Sequence, residues 1–340
     1  MKKKVLVSAI GGPTGAGVVK CLRKMKDVYV IGLDADPNCP LKGHVNKFVL
    51  SPPLNDTGYI SFVNELIVNK GVTLYYPTLQ PELIMLPQIT CPAAAPSAEV
   101  IANTLDKVAL YDTLAASELD ILVPAYASLN SLDDFDAFYA TYSQQDKPIC
   151  IKMRNGHGGI GFKVIVQKSQ LLDLIASGQD QNYYDVDTLR EALAIDIEQI
   201  DRYLVCEYLE GPEVSVDMFA VAGDVVSIVT RKRNRVSNGI VLDGKVELND
   251  QLIAYSTRLA KTFNLTGFSN VQFKYDSAGL PKLIDFNPRF CGSQLISYGA
   301  GVNFPYLAFC YYHNLPLPVY SPTDNMVSKR YWKMKFFPNP

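Results

Sequence analysis

The chain has 340 residues, of which 48% are hydrophobic and 19% charged, and its formal net charge is −2. This composition excludes extensive disorder, leaves room for two or three compact units, and offers nucleic acid no global attraction. Seven cysteines are scattered without a CxxC pair, mostly inside apolar runs, as reduced core thiols of a cytoplasmic protein are.

The opening reads strand, glycine turn, helix, strand: KVLVSAI, GGPTGAG, VVKCLRKM, VYVIGLDAD. Met1-Lys2-Lys3-Lys4 before an apolar run imitates a secretion signal, but Gly11-Gly12-Pro13 ends that run too early, so a first buried strand is expected. A βαβ unit of this kind feeds a parallel sheet. A third strand at KFVL, a helix over 59–69 and a strand over 73–77 complete it, and the Pro-rich stretch Cys91 to Pro96 closes the first domain at about residue 95.

A helical stretch from Asn103 carries Asp106 and Lys107, and a second helix is expected over 132–142. The strand PICIKM, the loop RNGHGGIG and the strand FKVIVQ then form a hairpin. A strand-to-helix phosphate loop of the Walker type is excluded by that order. Residues 169–200 read as helical with a polar interruption at 178–185. Strands follow at YLVCEYL, VSVDMFAVA and VVSIVTRKRNR, then the helix QLIAYSTRLAKTFNL and two short strands, NVQFKY and LIDF. A helix over 305–312 and a last strand, KRYWKMKFF, end the chain. No window approaches the ~18 consecutive apolar residues of a membrane span.

Five stretches carry chemistry. Period-2 alternation puts Asp285 and Asn287 on one face of a strand, with Gln272 on its neighbour and Arg289 just beyond Pro288. Oxygen donors beside a guanidinium suit Mg²⁺ and phosphate, and a polar surface hairpin is the competing reading. Gly156, His157, Gly158, Gly159, Ile160 and Gly161 form a loop whose backbone N–H groups can approach phosphate oxygens. Lys152 is the single cation of an apolar strand, which a phosphate would satisfy, and Lys107 offers a second cation. In LVCEYLEG the backbone near Tyr208 and Leu209 can read an adenine edge, with Glu207 accepting from the amino group and Glu210 or Glu213 on ribose. Arg231-Lys232-Arg233-Asn234-Arg235 suggests an anionic substrate, against the alternative of a solvated basic edge.

In this order the stretches resemble the ATP-grasp superfamily, in its carbamoyl-phosphate-synthase-like branch of stand-alone carboxylate-amine ligases. GFSNVQF and DFNPRFCGS are the most specific matches, supported by IKMRNGHGGIG and CEYLEGPEVSVD. The resemblance implies an α/β chain: a parallel pre-ATP-grasp domain over 1–95, an ATP-grasp module over 96–320 with subdomains at about 105–207 and 208–320, and a tail over 321–340. It implies ATP and Mg²⁺ as cofactors. Lys107 and Lys152 would bind the nucleotide phosphates under a cover of Gly156, His157, Gly158, Gly159 and Gly161. Glu207, Tyr208 and Leu209 would hold adenine and Glu213 ribose, while Gln272, Asp285 and Asn287 would ligate the metal. Arg289 would stabilise the phosphorylated intermediate, and Lys152 on the phosphates and Arg231 and Arg233 toward an anionic substrate or phosphate are the further candidate catalytic residues.

Two departures stand out: Asp285 occupies a position where the family more often has glutamate, and Gln272 is neutral where many members carry an acid. The implied reaction converts a substrate carboxylate into an acylphosphate that an amine attacks. Small-molecule carboxylate and amine partners follow, with no nucleic acid and no membrane, and a homodimer is compatible with the relatives. Two alternatives stay open: a non-catalytic ATP-binding module of the same fold, and an NAD(P)-dependent reductase suggested by SAIGGPTGAG with Asp34 and Asp36.

Overall fold

A computed structural model describes residues 2–145, 147–156, 158–177, 182–237, 239–331 and 333–337. The chain divides into two compact units. Unit 1 comprises Met1–Thr104, Pro212–Gln272 and Asp285–Pro340, and unit 2 comprises Leu105–Gly211 and Phe273–Ile284.

Strands β1 (Lys3–Val7), β2 (Val28–Asp34), β3 (Lys47–Leu50) and β4 (Val72–Tyr76) form a parallel sheet in the order β3-β2-β1-β4. Lys3 and Lys4 stay exposed while Val5, Leu6 and Val7 are buried, so the charged start leads into a core strand. After β1 the chain turns into the helix Pro13–Leu22, with proline supplying the preset φ of a first turn. Glycine is required at position 15, where a Cβ would lie 2.4 Å from the Ala9 carbonyl oxygen. Asp34, the acid that a dinucleotide reading would place on ribose, accepts the Gly11 N–H at 2.7 Å and the Asp36 N–H at 3.0 Å.

In unit 2, β5 (Tyr126–Ser128), β6 (Ile149–Met153), β7 (Lys163–Val166), β8 (Tyr183–Asp185) and β9 (Tyr203–Glu207) run in the order β5-β9-β6-β7-β8. β6 and β7 pair antiparallel, so the glycine loop joins a hairpin as its sequence order required. Ile149, Ile151, Ile165 and Val205 pack with Leu129 and Phe135 on one face of this sheet. Alternation therefore turns Cys150, Lys152, Leu204 and Cys206 to the other face.

Three expectations are revised. The helix expected from Asn103 is two helices, Ala98–Leu105 and Lys107–Ala115, because Asp106 leaves the helical region and caps the second one, accepting from the Val108 and Ala109 N–H groups. The 178–185 interruption contains β8, with 178–181 outside the described residues. Among the described residues, the strand expected over KRYWKMKFF is confined to its first residue, Lys329. β15 (Val327–Lys329) pairs for three residues with Asp243–Lys245, and beyond it Tyr331, Met334 and Phe336 are exposed, with no sheet face to bury their alternation.

A six-stranded sheet comprises β10 (Glu213–Val221), β11 (Asp224–Ser237), β12 (Ile240–Val246), β13 (Gly267–Tyr275), β14 (Pro281–Asn287) and β15. Its order is β14-β13-β10-β11-β12-β15. β12, with glycine and charge in IVLDGKV, was not anticipated; it pairs antiparallel with β11. Val5, Val7, Phe219, Val229, Phe268, Phe290 and Phe304 belong to one buried cluster, so residues 1–95 share a core with the β10–β14 sheet.

Candidate active site

β14 delivers Asp285 and Asn287 two residues apart, which places both side chains on one face. The Asn287 amide donates to Asp285 Oδ2 at 2.8 Å, and Arg289 Nη2 donates to Asn287 Oδ1 at 3.2 Å. Arg289 also donates to Gln80 Oε1 at 3.2 Å and to the Phe290 carbonyl at 3.0 Å. Burial lowers the pKa of this guanidinium, and the Asp285 carboxylate acts against that shift. Arg289 Nε is buried and has no hydrogen-bond partner among the described residues. Acid, amide and guanidinium thus form one connected set.

Gln272, on neighbouring β13, belongs to another set. Its Oε1 accepts from Arg233 Nη1 at 2.8 Å, and its amide donates to Asn270 Oδ1 at 3.1 Å. Arg233 also binds the Glu213 carboxylate, so the proposed ribose ligand sits in an ion pair with one of the proposed catalytic cations.

The assignment of Arg231 to an anionic substrate is corrected. Its side chain is fully buried, with Nε and Nη2 donating to the two Asp217 oxygens at 3.0 and 2.9 Å. Burial opposes its charge, and the Asp217 carboxylate more than offsets this, raising the pKa. Asp217 additionally accepts from Asn270 at 2.7 Å and Ser297 at 2.6 Å. The fork is committed to an internal carboxylate. Sequence reading missed Asp217, although a lone acid in the apolar run VSVDMFAVA is the signal that finds it: such a charge needs a partner. Asp217 pairs with Val229 across the strands, which makes Arg231 its diagonal neighbour.

In unit 2, Lys152 lies on the β6 face opposite the Ile149–Ile151 core. Lys107 is buried and donates to the Gly156 carbonyl at 2.8 Å, tying the base of the glycine loop to its helix. Gly158, Gly159 and Ile160 are exposed, and Gly161 takes φ +72° against Met153. His157 lies outside the described residues.

Glu207 departs from its expected role. Its Oε1 accepts the Ala125 N–H at 2.9 Å, and alternation along β9 puts this carboxylate on the face opposite Lys152. Its backbone carbonyl, at the end of β9, accepts from Cys150 Sγ at 3.7 Å. Tyr208 donates its N–H to the Pro148 carbonyl at 2.9 Å, its ring lies 4.5 Å from Lys274 Nζ, and Leu209 is buried.

Among the described residues no group of three or more His, Cys, Asp or Glu side chains is placed to hold a metal. Mg²⁺ accepts neutral oxygens beside a carboxylate. Asp285 and Asn287 fit that demand side by side. Gln272 retains one carbonyl lone pair beyond the one facing Arg233.

The sequence family described as ATP-grasp in the biosynthetic pathway with Ter operon matches residues 199–332. No curated protein matches the chain. N5-carboxyaminoimidazole synthetase from Staphylococcus aureus, complexed with ADP, superposes with a TM-score of 0.66 at 17% identity, covering 97% of this chain and 81% of that one. The biotin carboxylase domain of the Hydrogenobacter thermophilus 2-oxoglutarate carboxylase, in complex with MgADP, ADP and bicarbonate, gives 0.69 at 17%, covering 96% and 72%. N5-carboxyaminoimidazole ribonucleotide synthetase from Thermotoga maritima gives 0.62 at 15%, covering 94% and 78%. At these identities the likeness is one of fold.

Proposed function

We propose that this chain, whose residues 199–332 match an ATP-grasp family and whose fold resembles those of ADP-bound relatives, is an ADP-forming ATP-grasp ligase joining a small-molecule carboxylate to an amine. The observation that carries the reading is the connected set Asp285, Asn287 and Arg289 at the end of β14. A purely structural hairpin has no need of an acid, an amide and a half-buried guanidinium in series.

In this reading Lys107 and Lys152 grip the nucleotide phosphates, and the Gly156–Gly161 loop covers them with backbone N–H groups. Adenine rests on the Glu207 carbonyl and the Tyr208–Leu209 backbone, and Glu213 takes ribose. Gln272, Asp285 and Asn287 would hold Mg²⁺, which when bound offsets phosphate charge. A carboxylate oxygen attacks the γ-phosphorus and ADP leaves. The amine then attacks the acyl carbon, loses a proton, and expels inorganic phosphate. Arg289 balances charge on the transferring group, and the closed loop keeps water from the acylphosphate. The Asp34 contacts with Gly11 and Asp36 support this reading over a reductase, since that carboxylate is already engaged.

The test is ADP release across a panel of carboxylate and amine pairs, with ¹⁸O in the carboxylate. Transfer of one ¹⁸O into phosphate is expected. ADP release without ¹⁸O transfer would overturn carboxylate activation, and tight ATP binding without ADP release for any pair would favour a non-catalytic module.

A further inference from the structure

The strand pair β6–β9 carries an unassigned feature of its own. Cys150 and Cys206 are direct partners across these antiparallel strands. Tyr208 N–H donates to the Pro148 carbonyl at one end of the pairing, and Arg154 N–H donates to the Arg202 carbonyl at the other. Hydrogen-bonded and non-hydrogen-bonded pairs alternate along an antiparallel ladder, so 148/208, 150/206, 152/204 and 154/202 are all of the hydrogen-bonded kind. Such a pair has its Cα atoms about 5.5 Å apart. Disulfides span about 4.4–6.8 Å between Cα atoms, most often 5.5–6 Å. Direct partners also point to the same face; the Cβ atoms of a hydrogen-bonded pair stand about 5.5 Å apart against the roughly 3.5–4.5 Å of a disulfide, so closing the bond draws the two strands together by about 1 Å.

We propose that Cys150 and Cys206 form a reversible dithiol–disulfide pair, a redox-sensitive site in the strands that lead to the adenine linker. Both are free thiols and both are buried. The two thiols stand on the face that carries Lys152, whose charge favours a thiolate there. The exchange is written with Cys150 as the attacking sulfur. Its thiolate displaces one thiolate from a low-molecular-weight disulfide, giving a mixed disulfide. The Cys206 thiolate then attacks Cys150 Sγ and releases the second. Two protein thiols become one disulfide, and the small disulfide becomes two thiols. Because both sulfurs are buried, exchange proceeds from a locally opened strand pair.

Of the five other cysteines, none has a cysteine as its strand partner among the described pairings. Cys150 Sγ also lies 3.7 Å from the Glu207 carbonyl oxygen as a hydrogen-bond donor, and oxidation removes that donor. On the ligase reading this alters nucleotide affinity; the disulfide itself does not depend on that reading.

The full chain is equilibrated in oxidised and reduced glutathione mixtures, in urea below its unfolding transition so that strand opening is fast. It is then acid-quenched, alkylated and peptide-mapped. A peptide pair linking 150 to 206 that escapes alkylation and weighs 2 Da less than the two free-thiol peptides together is the expected product, and dithiothreitol restores both thiols. Alkylation of both cysteines in the most oxidising mixture, or a predominant link to another cysteine, overturns the proposal. In unquenched aliquots returned to urea-free buffer, the ADP dissociation constant is expected to shift at least threefold in wild type and to stay fixed in Cys206→Ala. A disulfide without that shift would retain the redox pair and remove Glu207 from adenine recognition.

Discussion

Two stretches share one rhythm and end differently. Arg231, Arg233 and Arg235 are spaced i, i+2, i+4 along β11, as Asp285, Asn287 and Arg289 are along β14 and just beyond it. In the second stretch the three side chains stay hydrogen-bonded in sequence. The first comes apart: Arg231 is sealed against Asp217, Arg233 meets Glu213 and Gln272, and the register shift between Arg233 and Arg235 leaves Arg235 exposed. Equal spacing thus sets a shared face, while depth in the sheet decides whether a charge is structural or available.

The contrast can be broken by substitution. Arg231→Ala leaves Asp217 buried and uncompensated, and is expected to cost about 3–5 kcal/mol of stability. Urea denaturation checks this, and a change under ~1 kcal/mol would return Arg231 to the substrate-facing residues. Asp285→Ala is expected to do the reverse, with stability nearly unchanged and ADP formation reduced roughly 10²–10³-fold, as for loss of one transition-state electrostatic partner. Near-normal turnover would remove Asp285 from the metal site.

Smaller effects sharpen the comparison. Arg233→Ala, which frees Glu213 and Gln272, is expected to cost about 1.5–3 kcal/mol, between its neighbour's effect and that of an exposed ion pair. Its ATP requirement should rise as well. If steady-state kinetics show an unchanged KM for ATP, Arg233 is structural like Arg231. Glu207→Gln keeps an oxygen to accept the Ala125 N–H and lies on the face away from Lys152. Its ATP affinity by calorimetry is expected to stay within about twofold, under ~0.5 kcal/mol. A tenfold loss would place the carboxylate itself on adenine.

Much of the fold follows from local pattern. The βαβ opening, the hairpin around the glycine loop and the β13–β14 pair each rest on alternation interrupted by glycine or proline, and these signals span only a few residues. Strand β12 escaped because the glycine and charges of IVLDGKV dilute its apolar rhythm, which pairing with β11 supplies from outside. The final strand was overread for the opposite reason: an alternating segment with no partner for most of its length gains nothing from alternation.

Sequence by itself determined which residues share a face and which chemistry each can perform: the oxygens of Asp285 and Asn287, the lone cation of β6, the glycines of the flap. Tertiary structure alone decided their partners. It committed Arg231 to Asp217, turned the Glu207 carboxylate toward Ala125, and set Cys150 opposite Cys206. The reason is physical: alternation and propensity act over a few bonds, whereas the cost of burying a charge depends on which distant group meets it.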